Sequence, residues 1–398
     1  MLFRTLRLSL SFKDPKVFQS MSTFDLMRSY SLFTAFSFNP LVRHAFRLQQ
    51  LFPRLFKVLA RPAFSQFCAG ASEVEVGPRL AQLRERGVGA ILDYAAESSP
   101  DLDRNVLIMQ RAIAVVSDTD DRVAVKLTAL VPVVDLERFA SSLARNLESI
   151  DEIFSFPQYL DHSIKRIEQV IDYAYNNNVQ VYVDAEWLAI QPALEALTLH
   201  LMRKYNKPGH QITVFNTYQC YLQRTLGIVR RDITIANKYN FMIGAKVVRG
   251  AYLTTERARA KALGCSDPVC DNYEETTNSY HAVLRLLRKE AVVDQVLVAT
   301  HNPYSIAFAK ELDDTEETVK TFRKFSYAQL LGMADNVTYT LAGAKMPVFK
   351  YVPYGPVEEV MPYLLRRAVE NSALMGSVHV KNERTMVKAE LRRRLLGY

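Results

Sequence analysis

The stretch VEEVMPYLLRRAVEN, residues 357–371, carries the chain's sharpest cluster of chemically capable side chains. It predicts a helix with a local distortion at Pro362. Glu359, Tyr363, Arg366 and Glu370 recur at helical spacing on one face, with Arg367 flanking them. An RR pair on a helix is ordinarily a solvated charged face. An aromatic ring one turn from two guanidiniums also makes an anion pocket, and the planar guanidinium fork suits bidentate capture of a carboxylate. A second set lies at the ends of short apolar runs: Glu97, Lys126, Asp184 to Glu186, Thr217 to Gln219, Lys246, Arg249, Tyr252, Thr300 to Asn302, Gln329, Tyr351 and Tyr354. An ionised Lys or Asp among apolar neighbours is costly unless paired or wet. So many loaded run ends point to one shared site for a small anionic substrate and a large cofactor.

Hydrolytic chemistries fit poorly. Of seven histidines only His301 falls at a run end, and neither HExxH nor His-x-His occurs, so no metal site is expected. Cys68, Cys220, Cys265 and Cys270 are too scattered for a disulfide framework, and CSDPVC lacks a second Cys or His pair for zinc. They fit a reducing compartment. A GxSxG elbow and a P-loop are both absent. What remains is redox chemistry on a bound cofactor, or a lyase using Lys126 or Lys246 as a Schiff base.

The runs that must position these residues are VGAILDY (88–94), VAVKLTALV (123–131), VQVYVDAE (179–186), QITVFNTYQ (211–219), FMIGAKVVR (241–249), VLVATHN (296–302), FSYAQLLG (325–332) and PVFKYVPYG (347–355). Each reads as a strand. Helical patterns lie between them: Ile164, Ile167, Ile171 and Ala174; Leu194, Leu197 and Leu201; Leu222, Leu226, Val229 and Ile233; Tyr280, Val283, Leu284 and Leu287. Eight strands alternating with helices predict an α/β fold of the (β/α)8 barrel type, whose active sites form at the carboxyl ends of the strands. A doubly wound open sheet calls for a glycine-rich turn after an early strand, and none occurs. Asn336–Lys345, between runs seven and eight, is short for a full helix.

At 398 residues and 49% hydrophobic, the chain suits one large domain with appendages or two ordinary ones. Its formal net charge of +8 is unevenly placed. Residues 1–62 hold ten Lys/Arg against two Asp/Glu, and residues 381–398 six against two. That leaves 63–380 mildly acidic, at 34 against 38. No uninterrupted run of about 18 apolar residues predicts a membrane-spanning helix. The opening MLFRTLRLSLSF has Arg, Ser and Leu and no acid before Asp14, which suits a mitochondrial targeting end rather than a secretory signal. The expected organisation is a targeting remnant at 1–13, a basic helical arm at 14–86 interrupted by Pro53 and Pro62, and a catalytic barrel with a C-terminal helix at 87–398.

VDAE, FNTYQCYLQ, GAKVVRGAYL, ATHN, QLLGMAD and YVPYGPVEEVMPYLLRRAVEN occur in this order. Together they closely resemble the proline dehydrogenase family, mitochondrial flavoenzymes of proline catabolism, over roughly residues 65–395. The last motif is very specific; VDAE alone would carry no weight. The resemblance implies a distorted (β/α)8 TIM barrel holding FAD at the strand ends. It also implies oxidation of L-proline to Δ1-pyrroline-5-carboxylate, with hydride passing from the ring carbon beside nitrogen to flavin N5. The electrons would go to a quinone, ubiquinone, at the matrix side of the mitochondrial inner membrane.

Carried over by motif, Arg366 and Arg367 clamp the proline carboxylate. Tyr252, Tyr351 and Tyr363 wall the ring, with Leu330 or Leu331 as apolar neighbours. Lys126 sits between substrate and flavin, ion-paired with Glu97, and Asp184 lies beside it. Gln219, the stretch Lys246, Val247, Val248, Arg249 and Gly250, and then Thr300, His301 and Asn302 contact FAD. Lys126, Asp184, Lys246 and Arg249 form the catalytic set, in which a cation near flavin N1 stabilises the anionic reduced form. A reading of residue types agrees: hydride transfer needs orientation more than a strong base, and a carboxylate clamp with aromatic walls supplies it. The acceptor of the amine proton stays unassigned, solvent being one choice.

Two departures stand out. Bacterial members commonly have Arg then Lys where this chain has Lys246 then Arg249, which exchanges the roles of the two cations. Animal-type members usually carry a long insertion between strands two and three, where only Pro132–Asn178 stands here. A sister branch oxidises trans-4-hydroxyproline and tends to have a smaller residue at the position of Tyr351, so a preference for proline is expected. A rival of another class is a nucleic-acid or membrane-surface binder acting through the basic arm. The neutral body without an RNA-recognition motif argues against nucleic acid.

Overall fold

The computed structural model describes residues 11–36, 61–95, 101–145, 151–315, 325–357, 359–360 and 378–396. Its strands are β1 (Gly89–Tyr94), β2 (Arg122–Val125), β3 (Val181–Val183), β4 (Val214–Gln219), β5 (Ile243–Val248), β6 (Val293–Ala299), β7 (Ser326–Leu330) and β8 (Val348–Tyr354). They close into a barrel in the order β1 to β8. Pairing is parallel between β1 and β8 and along β2 to β6. Each expected run overlaps one strand, with β2 starting one residue and β6 three residues before its run, and the barrel, not the open sheet, is what forms.

The helices are α1 (Thr23–Phe36), α2 (Glu73–Glu85), α3 (Leu102–Val116), α4 (Val133–Arg145), α5 (Asp161–Asn176), α6 (Gln191–Tyr205), α7 (Thr225–Tyr239), α8 (Leu253–Leu263), α9 (Tyr273–Lys289), α10 (Pro303–Thr315), α11 (Asp335–Gly343) and α12 (Val378–Leu396). Caps fix several starts. Asp101 accepts from Arg104 N at 2.9 Å and Asn272 from Glu275 N at 2.9 Å, satisfying backbone donors that the first turn leaves open. The short 336–345 segment forms α11, a helix of nine residues.

Most strands are shorter than their apolar runs, β6 excepted. β2 stops at Val125 and Leu127–Ala129 turn as a 3-10 helix, so Lys126 stands one residue past the strand rather than inside it. The run misleads because the turn is also buried: Leu127, Leu130 and Val131 are fully enclosed. Asp184 likewise follows the three-residue β3.

The chain divides into two compact units. Ser99–Thr300 with Tyr304–Tyr327 holds β2 to β6. Here Gly244 of β5 allows the Phe215 ring to lie on the backbone, since a Cβ would come within 2.8 Å of that ring and of Val214 O. The Tyr182 and Phe215 rings meet tilted by 40° at 4.5 Å between centroids. Buried Asn206, past the end of α6, donates to Val214 O and Met242 O and accepts from Thr213 N and Val214 N. One side chain thus sets the entry of both β4 and β5.

Met1–Ser98, His301–Pro303 and Ala328–Tyr398 form the other unit, with the arm, β1, α11, β8 and α12. Phe18, Met21 and Leu26 pack against Met386, Val387 and Leu391 of α12. At about 1.5–3 kcal/mol for each large apolar side chain enclosed, this is a strong fastening. Arg394 adds hydrogen bonds to the carbonyls of Phe18, Gln19 and Met21 and to Thr23 Oγ1. Lys350 of β8, 1% exposed, pairs with Asp335 at 2.7 Å and donates to Met333 O at 2.6 Å. Glu383 of α12 accepts from Ala334 N and Asp335 N at 3.1 and 2.8 Å, capping α11 from another helix.

Candidate active site

Register brings the first charged group together. Val125 pairs with Val183, and Asp184 N donates to Val125 O at 2.9 Å, so Lys126 and Asp184 leave adjacent strands side by side. Lys126 Nζ lies 3.9 Å from Asp184 Oδ2. Lys246 of β5 donates to Asp184 Oδ1 and stands 5.9 Å from the Tyr182 ring centroid. One carboxylate therefore faces two ammonium groups. The side chains of Lys126 and Asp184 keep 19% and 13% of their surface exposed, and Lys246 only 6%. The pairing offsets the cost of burying Lys246.

Glu186 lies beside this group, 4% exposed. Thr128 Oγ1 donates to its two carboxyl oxygens at 2.9 and 3.0 Å. Burial pushes the Glu186 carboxyl up to about 7, against the pull of Thr128 and Lys126. Its backbone is pinned as well: Gln219 Nε2 donates to Glu186 O at 2.8 Å, and Glu186 N donates to Gln191 Oε1 at 2.9 Å. Thr217 Oγ1 holds Val183 O at 2.7 Å. Gln219 and Thr217, expected among the reactive strand ends, thus serve to fix the turn that carries Asp184 and Glu186.

At the end of β5 the side chain of Arg249 forks. One arm donates to Thr277 Oγ1 at 3.1 Å, the other to Ser305 Oγ at 3.0 Å, and the guanidinium lies 4.6 Å from the Tyr273 centroid. Its Nε is buried without a partner among the described residues. Val247 is fully buried and its carbonyl accepts from Tyr280 OH at 3.0 Å, while Val248 O accepts from Cys220 N. Gly250 adopts φ +126°, and any Cβ there would run into the Tyr221 ring. Tyr252 caps α8 and meets Trp187 edge to face at 6.4 Å. Thr300, 7% exposed, ends this unit's share of the expected residues.

In the other unit, His301 Nε2 accepts from Leu330 N at 3.1 Å, which makes the protonated nitrogen Nδ1. Asn302 is buried and Tyr351 half-buried in β8. Leu330 is half-buried and Leu331 N donates to Tyr351 O. Gln329 accepts from Thr338 Oγ1 at 2.9 Å. Tyr94 OH donates to Glu359 at 3.1 Å. Glu97, Tyr363, Arg366 and Arg367 lie outside the described residues.

This donor set suits a flavin dinucleotide. Lys246 of β5, Arg249 just past it with a buried Nε that has no partner among the described residues, and buried Thr300 can receive an anionic group rich in acceptors. Among the described residues no cluster of three His, Cys, Asp or Glu side chains stands ready for a metal ion. Sequence reasoning missed Thr128 and Trp187. Thr128 was hidden inside a run read as strand, and its partner lies 58 residues away.

A closed parallel barrel with charged residues gathered just past its strands defines an α/β-barrel enzyme of the strand-end type. The family model described as Proline dehydrogenase matches residues 76–380, and the chain belongs to that family. "Proline dehydrogenase 1, mitochondrial" of Caenorhabditis elegans is 39% identical over 68% of this chain and 44% of its own length. The chain thus spans less than half of that relative. "Hydroxyproline dehydrogenase" of Homo sapiens is 32% identical over 98% of this chain and 94% of its own length. Proline utilization A from Bdellovibrio bacteriovorus, in a structure inactivated by N-propargylglycine, shares the fold. Its TM-score is 0.69 at 19% identity, covering 96% of this chain and 40% of that one.

Proposed function

We propose that this chain is an FAD-dependent, mitochondrial proline dehydrogenase. It oxidises L-proline to Δ1-pyrroline-5-carboxylate and passes the electrons to a quinone, ubiquinone. The observation that carries this reading is Asp184 held between Lys126 and Lys246 at the strand ends of a barrel belonging to this family. FAD, when bound, supplies the hydride acceptor. Lys246, Val247, Val248, Arg249, Gly250, Gln219, Thr300, His301 and Asn302 are the residues that would hold it. The ammonium groups of Lys126 and Lys246 favour negative charge gathering nearby as oxidation proceeds. Asp184 keeps both ammonium groups oriented.

Arg366 and Arg367 hold the substrate carboxylate in this proposal, and Tyr252, Tyr351 and Tyr363 enclose the ring. Trp187 steadies Tyr252 through their edge contact. A carboxylate fixed at one end and a ring walled on its faces present the carbon beside nitrogen in one orientation, which is where the rate gain arises. The amine proton leaves to solvent. The phenol of Tyr351 crowds a hydroxyl added to the ring, so proline is the preferred substrate.

A second reading, trans-4-hydroxy-L-proline as substrate, draws on the end-to-end match to hydroxyproline dehydrogenases. Relative kcat/KM of the purified protein on the two amino acids decides between them: proline ahead supports the first reading, equal or reversed values overturn it. L-Proline should also bleach the protein's flavin absorption band, and Arg366→Ala or Arg367→Ala should raise KM while the flavin stays bound. The basic ends rest on the anionic matrix face of the inner membrane in this proposal. Salt-insensitive failure to bind cardiolipin vesicles counts against that placement.

A further inference from the structure

Away from the strand ends, the unit that contains the arm encloses a small polar cavity of about 10 Å³. That is space for about one water-sized sphere. Its charged lining is Arg28, Arg79, Arg86 and Lys350 against Asp25 and Asp335. Both carboxylates are already engaged: Asp25 pairs with Arg28 at 2.7 Å, and Asp335 with Lys350 at 2.7 Å. Glu383, bonded to the backbone of Ala334 and Asp335, is the further acid behind the cavity.

Arg79 and Arg86 have no carboxylate partner among the described residues. Arg86 donates to Tyr339 OH at 2.9 Å and Ser20 O at 3.0 Å. Among the described residues Arg79 reaches only Gln82 of its own helix, at 2.5 Å, and its buried Nε has no partner. Two guanidiniums facing one small cavity repel each other, and withdrawing them from water is costly unless a negative charge joins them. Space for about one water-sized sphere matches a monatomic anion better than a phosphate or a sulfate.

We propose that this cavity is a binding site for a monatomic anion of chloride size, held by Arg79, Arg28 and Arg86. These residues come from α1, α2 and the turn after α2, and Tyr339 and Lys350 bring α11 and β8 to the same cavity. The ion therefore fastens the arm to the barrel strand, and its effect is on stability rather than on the reaction.

Bromide tests this directly. In crystals of the full chain soaked in sodium bromide, an anomalous peak in the cavity is expected. Thermal unfolding in sodium chloride or bromide, compared with sodium gluconate at equal ionic strength, should show a Tm higher by roughly 2 °C in halide. Arg79→Gln should abolish that difference. Only water in the cavity, without anomalous signal, overturns the proposal. So does a halide increment that Arg79→Gln leaves intact. Should that variant fail to fold, the bromide map of the wild-type protein still decides.

Discussion

The molecule clusters lysine with carboxylates twice, in surroundings that differ in exposure. At Asp184 two lysines face one carboxylate, and both Asp184 and Lys126 retain water. At Lys350 one lysine serves Asp335 and stands near Glu383, and Lys350 is 1% exposed. Charges in a partly exposed corner can respond to an anionic partner and to charge that shifts during a reaction. Charges in a dry one can only hold elements together. The same residue types thus perform site chemistry in one unit and assembly in the other.

Breaking the dry cluster should have the largest effect. Lys350→Met leaves Asp335 and Glu383 buried without their cation, and should cost about 3–5 kcal/mol in urea unfolding while activity per folded molecule survives. Asp184→Asn should do the reverse, lowering kcat by about 10²-fold with little movement of the urea midpoint. If the two variants gave the same pattern, the contrast between the regions would be lost. Arg249→Lys keeps a charge but loses the fork to Thr277 and Ser305 and the contact with Tyr273. Flavin affinity should fall about tenfold by fluorescence titration.

The smallest effect is a pH slope that both regions share. Burial holds the Glu186 and Glu383 carboxyls up at about 7, above their ordinary 4.5. The folded state then binds protons more tightly than the unfolded one. These groups favour folding most below about 4.5, and that contribution is lost as pH rises toward 7. Glu390, held down to about 2 by Arg393 and Arg394, acts in the opposite sense and only below about 4.5. Urea midpoints should therefore decline between pH 5 and 8 through these two groups. Glu186→Gln and Glu383→Gln should each flatten the decline; slopes unchanged in both would remove the assignment.

Much of the barrel was legible because β-branched runs and 3.6-residue apolar faces alternate cleanly from residue 88 onward. Where strands end was not, since Leu127 to Val131 stay apolar through a buried turn. Residue type located Lys126, Asp184, Lys246 and Arg249. It also drew attention to Gln329 and Tyr218, whose polar atoms bond Thr338 and Asp232 in supporting roles. Pairings such as Thr128 with Glu186, or Arg122 with Tyr182, depend on register between strands some 60 residues apart, which local pattern does not encode. Lys350 sits within an apolar run that gives no sign of its role, and its ion pair with Asp335 at the start of α11 makes it central.

Arg394 donates to residues 371–376 positions earlier in the chain. At synthesis rates of about 5–20 residues per second, the segment around Phe18 and Met21 emerges roughly 20–75 s before its partner helix exists. Through that interval its apolar side chains have no native core to enter and are open to capture by chaperones. The unit holding the first strand is the last to be completed, so the pace of elongation, more than the intrinsic speed of folding, sets how long those side chains wait.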